Sequence, residues 1–108
     1  MSEGFQRLRG MLGFAMRAGK LIIGTEIVCS VISGKNKPKL VVVSSGASDG
    51  TKKKISYKCE FYKIKLVQID ISTDELGRLL GKTYTPAVIG VMDEGFANEI
   101  EKLSIGYP

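Results

Sequence analysis

Leu40-Val41-Val42-Val43 is an uninterrupted apolar run, mostly β-branched, set between Lys39 and the small-residue loop Ser44–Gly50. A strand with one wet face alternates apolar and polar residues. A continuous run reads instead as a strand covered on both faces. The chain must therefore supply helices to two sides of a sheet.

The rest of the sequence supplies them in alternation. Phe5, Leu8, Leu12, Ala15 and Met16 recur at helical spacing and predict an amphipathic helix over 4–18. Leu21–Ile23 is a short strand that stops at Gly24. Thr25 is the expected N-cap of a helix reaching Ser33. At 100° per residue, Ile27, Val28, Val31 and Ile32 share one face, and Glu26, Cys29 and Ser33 form an outward stripe. A helix over 49–63 points Ile55, Cys59 and Tyr62 inward among many lysines, and Leu66–Ile69 is a third strand. Ser72 and Glu75 make a capping box ahead of Leu76, Leu79 and Leu80, and Gly81 stops that helix. Pro86–Val91 is the last strand. A final helix from Asp93 to about Lys102 faces inward through Phe96, Ala97, Ile100 and Leu103. The pattern predicts an α/β fold, a three-layer α/β/α sandwich on a four-stranded sheet, with residues 1–108 as one domain. Ligands of such sheets sit on loops at strand ends. The candidate loops are Gly24–Glu26, Ser44–Gly50 and Lys82–Ala87.

Charge narrows the choice of ligand. The net charge is +5, but residues 1–68 carry 13 lysines and arginines against four acids, and residues 69–108 carry three against seven. A one-sided basic surface suits a polyanion. With no histidine and two cysteines, a metal site and Cys/His catalysis are not expected. No cofactor is expected either. The loop Ser44–Thr51 enters a helix but lacks both GxxxxGK[ST] and GxGxxG, which argues against a nucleotide enzyme. Tyr57 and Tyr62 read as packing residues rather than base-stacking ones. No apolar stretch is long enough to span a membrane, and the glycines and Arg17 break up any signal-peptide pattern. Reduced cysteines fit a cytoplasmic protein.

The segments AGKLIIGTE, SGK, PKLVVVSSGAS, STDELGRLLGK and TPAVIGV, in this order, resemble the ribosomal protein family that binds kink-turn RNA. That family includes archaeal and eukaryotic large-subunit ribosomal proteins, box C/D ribonucleoprotein subunits and small bacterial relatives. The resemblance runs from about Arg17 to Ile100, and VMDEGFANEI is similar to the bacterial branch. It implies a mixed sheet, no enzymatic activity, and an RNA partner: structured RNA, kink-turn-like or ribosomal, with the ribosome itself as a candidate. A monomer is expected.

The resemblance also implies a site. The family pattern Gly-x-Asn-Glu-x-x-Lys falls on Gly24, Thr25-Glu26 and Cys29, and the basic region after it on Ser33-Gly34-Lys35. Glu26 would accept from a guanine N–H, with Thr25 at a base edge. Lys20 and Lys35 would sit near phosphates. Thr83, Tyr84, Thr85, Pro86 and Ala87 match the loop that covers an extruded base. The chain departs from the pattern at two places. Thr25 offers one hydroxyl where the family has an amide fork, and Cys29 stands where a lysine would supply an ammonium. Two further readings stay open: a protein-interaction module that uses the basic face of the same fold, and a small-molecule enzyme built on Ser44–Gly50.

Overall fold

The computed structural model describes residues 3–104. The ends of the expected domain, residues 1–2 and 105–108, lie outside the described residues. β2 (Leu40–Ser44) is buried along its whole length and sits inside the sheet. β3 (Leu66–Ile69) runs parallel to it, with Val42 opposite Val67. β4 (Val88–Val91) lies antiparallel on the other side, with Val42 opposite Ile89. β1 (Leu21–Ile23) closes that edge antiparallel to β4, with Ile22 opposite Gly90. The order is β1-β4-β2-β3, a four-stranded mixed sheet.

Successive strand residues point to opposite faces, so the valine run feeds two cores at once. Leu40 and Val42 join Val67, Ile69, Ile89 and Val91 on one face. That face is covered by α1 (Glu3–Arg17), α4 (Thr73–Leu79) and α5 (Glu94–Ser104) through residues including Leu8, Leu12, Leu76 and Ile100. Val41, Val43 and Val88 face α2 (Thr25–Ile32) and α3 (Asp49–Phe61), which contribute Val28, Cys29, Ile32, Ile55 and Cys59. Each fully buried aliphatic side chain contributes roughly 1.5–3 kcal/mol of transfer free energy. This is the expected three-layer α/β/α arrangement. No helix among the described residues is long and apolar enough to cross a membrane.

Several local expectations change. The N-cap of α2 is Gly24, not Thr25, at φ 120° and ψ 143°. The chain must turn sharply from β1 into α2 there. Gly24 holds both sides of the turn, donating to Val88 and accepting from the Val28 N–H. A side chain strains that backbone, so glycine takes the position. The covered face of α2 is also turned from the expected one. Cys29 is 6% exposed, whereas Ile27 is 53% exposed. The cause is α3: it packs beside α2, so α2 is covered by the sheet and by a neighbouring helix, and the small thiol of Cys29 faces that junction. The outward stripe of Glu26, Cys29 and Ser33 is therefore broken at its centre.

The last strand starts at Val88 rather than Pro86, because proline has no N–H for the ladder. α3 ends at Phe61, and Lys63 reverses the chain at φ 59°. Ser72 caps α4 as expected, accepting the Glu75 N–H at 3.1 Å. The Glu75 carboxylate pairs with Arg9, tying α4 to α1.

Candidate nucleic-acid interface

Two segments about sixty residues apart meet through one backbone hydrogen bond: the Gly24 N–H donates to the Val88 carbonyl at 2.9 Å. A second bond, from the Ser44 N–H to the Ala87 carbonyl at 2.8 Å, brings in the end of β2. Because β4 runs antiparallel to β1 and β2, its start lies beside their ends. All three candidate loops thus gather at one end of the sheet.

The β1–α2 turn presents Gly24, Thr25 and Glu26. The Glu26 side chain is 86% exposed, and Thr25 is half-buried. The neighbouring loop presents Thr83, Tyr84 and Thr85, all exposed, with Tyr84 at 51%. Pro86 is buried and Ala87 half-buried. α4 holds this loop close. A Cβ placed on Gly77 would stand 2.5 Å from the Tyr84 carbonyl oxygen, so only glycine allows the approach. The Lys82 N–H also donates to the Gly77 carbonyl at 2.8 Å.

Lys20 and Lys35 are not part of this gathering. Lys20 precedes β1, and its carbonyl accepts from Met92, beyond the other end of β4. Lys35 follows α2, which runs away from Gly24. At 3.3 Å per residue, the five residues of β2 separate the two ends by about 15 Å. Cys29 offers no outward side chain.

Two cations outside the expected site stand over α2 instead. From α3, the Lys54 Nζ lies 3.2 Å from Glu26 Oε1, and the Lys58 Nζ donates to Ser33 Oγ at 2.8 Å. Their i, i+4 spacing was visible in the sequence, but nothing there said which helix they would face. Exposed Ile27 adds an apolar surface next to Glu26.

The other chemistry weighed from the sequence finds little support. Ser44 is fully buried, donates its hydroxyl to the Ile71 carbonyl and accepts the Gly46 N–H. Ser48 accepts the Thr51 N–H as the N-cap of α3. The hydroxyls of both serines are thus engaged within the protein. Burial, and then the neighbouring Cys29, push the Cys59 thiol from its usual 9.0 up to about 11, so it stays protonated and unreactive at neutral pH.

A model of the ribosomal protein L7Ae/L30e/S12e/Gadd45 family matches residues 6–101. The chain is 37% identical to the RNA-binding protein YlxQ of Enterococcus faecium, over 98% of this chain and 100% of that protein. It is 36% identical to large ribosomal subunit protein eL30 of Sulfolobus acidocaldarius, covering 94% of this chain and 93% of the relative. A solved structure of a protein with unknown function from Bacillus halodurans C superposes with a TM-score of 0.84 at 35% identity, covering 92% of this chain and 97% of that one.

Proposed function

The chain belongs to the L7Ae/L30e/S12e/Gadd45 family of ribosomal proteins, and we propose that it is a non-catalytic RNA-binding protein that grips a kink-turn-like or ribosomal RNA. The grip is at the end of the sheet where the Gly24–Glu26 turn meets the Thr83–Ala87 loop. The observation that carries this reading is the Gly24–Val88 hydrogen bond, which makes one surface of two distant segments. The names of the relatives, an RNA-binding protein and a ribosomal protein, support it.

Each group has a part that its chemistry allows. The carboxylate oxygens of Glu26 are acceptors, which suits a guanine N–H and rejects a base edge that shows acceptors. Thr25 contributes one hydroxyl at the helix start. The bare backbone of Gly24 lets a ribose or phosphate come close. Tyr84, exposed beside Thr83 and Thr85, stacks on a base turned out of its helix. Lys54 stands near Glu26 and supplies the positive charge that Cys29 does not. Cys29 forms part of the floor under α2. The protein acts as a monomer in the cytoplasm, and ribosomal RNA is a natural target for it.

A mobility shift with a kink-turn RNA and a plain duplex tests the reading. The kink-turn RNA should bind more tightly. Glu26→Ala should weaken it by about ten- to a hundredfold, the worth of one charge-assisted hydrogen bond of about 1.5–3 kcal/mol. Equal binding to both RNAs, unchanged by Glu26→Ala, rejects it.

A further inference from the structure

The end of the sheet remote from Gly24 carries its own concentration of charge. Lys35, Lys37 and Lys39 come from the connection between α2 and β2, and Lys63 and Lys65 from the connection between α3 and β3. Together with Tyr62 they line one groove. We infer that this groove is a second phosphate-binding surface, which holds a stretch of RNA backbone separate from the one at Gly24. The inference rests on the RNA-binding reading above for its choice of polyanion.

The groove's lysines have unequal roles. Lys37 donates to the carbonyls of Ile32 and Gly34 at 2.9 and 2.7 Å and lies 4.7 Å from the Tyr62 ring centroid. It closes the end of α2 and shapes the groove, and with the Lys58 Nζ 5.8 Å from the same centroid two ammonium groups stand over the Tyr62 ring where a base would stack. Lys65 lies 3.2 Å from Glu101 Oε1. Lys35, Lys39 and Lys63 are exposed and present their charge to the groove. Glu94 and Glu101 from α5 are the acids on its wall, against five lysines.

Lys63 marks the groove in a second way. It is the one non-glycine residue at positive φ among the described residues, at 59°. It occupies the left-handed position that ends α3, where the Ile64 N–H returns to the Cys59 carbonyl at 2.8 Å. Glycine fits that position without strain and is the usual choice. A lysine kept there costs stability, and its ammonium lines the groove. Point charges without a planar fork or an open ring hold phosphates and leave bases unread. The surface therefore contributes affinity without sequence preference. Its distance from the Gly24 turn, about 15 Å along the strands, means that it meets a flanking arm of the RNA.

The experiment compares two RNAs: a kink-turn with short arms, and the same RNA with one arm extended by a full helical turn. The proteins are the wild-type chain and the variant Lys35→Gln, Lys39→Gln, Lys63→Gly. The wild type should prefer the long-armed RNA. The variant should bind both alike, with short-arm affinity unchanged. Its salt slope on the long RNA should fall by about one unit per lysine removed. Its melting temperature should not fall, because Lys63→Gly relieves backbone strain. Equal binding of both RNAs by the wild type overturns the inference, as does an equal loss on both RNAs in the variant. If neither RNA outcompetes a plain duplex, the reading at Gly24 fails instead. The groove is then judged on the duplex, where an unchanged salt slope in the variant overturns it. A variant that keeps RNA binding but loses polyglutamate binding overturns it in favour of an acidic protein.

Discussion

Lys54 on α3 places its ammonium 3.2 Å from the Glu26 carboxylate on α2, joining the two helices beside the turn that Gly24 makes. Both side chains are open to water, at 49% and 86% exposure. An ion pair so exposed adds little to stability, about 0–1 kcal/mol. Its value is positional: it sets a cation next to the acceptor proposed to read guanine. Lys54→Ala should leave the melting temperature nearly unchanged. It should weaken RNA binding several-fold and reduce the salt slope by about one. Thermal melting and a salt titration of the mobility shift measure the two effects.

Gly77→Ala should damage the loop from behind. The new methyl would meet the Tyr84 carbonyl at 2.5 Å, a backbone atom that cannot rotate away. Forced overpacking of this kind costs about 1–3 kcal/mol. The displaced loop should also carry Tyr84 away from the Gly24 turn, so RNA affinity should fall in protein that is still folded. Denaturant unfolding and binding by the refolded variant test this pair of outcomes.

Cys29→Lys should not repair the departure from the family pattern. Cys29 is packed between α2 and α3, and the Lys58 Nζ already lies 3.5 Å from its carbonyl oxygen. A lysine there must push α3 aside or bury an ammonium near another one. Either cost is of order 1–3 kcal/mol or more. A lower melting temperature with no gain in kink-turn affinity is expected. A gain would mean that the side chain escapes to the RNA along α2.

Alkaline pH should destabilise the protein in part through Cys59. Its folded pKa of about 11 exceeds the ordinary 9.0, so the native state holds the thiol proton more tightly than the unfolded chain does. The stabilisation is complete below pH 9 and is lost as the pH rises towards 11. Two units correspond to about 2–3 kcal/mol. Cys59→Ala should lower stability at neutral pH by leaving a small cavity, yet flatten the decline between pH 9 and 11. Urea unfolding across that range measures the slope.

The strand Leu40–Ser44 and the cap at Ser72 were legible in the chain because each depends on neighbours in sequence: an apolar run with no polar gap, and a hydroxyl three residues before its N–H donor. The face of α2 was not. Its apolar pattern pointed Ile27 inward, but a helix turns to suit everything packed on it, and α3 claimed the side with Cys29. Thr25 looked like a cap because of its hydroxyl. The sharp exit from β1 required φ 120°, which favoured Gly24.

The sequence by itself determined the three layers, the succession of helices and strands along the chain and the basic first part of it, because hydrophobic period and charge are properties of the chain alone. Only the tertiary structure decided which of those residues act together. Strand order and direction set Gly24 against Val88, and Lys54 against Glu26. They also sent Lys20 and Lys35 to the far end. A strand's two ends lie on opposite sides of the molecule, so residues four positions apart along β1 part company, while residues some sixty apart meet.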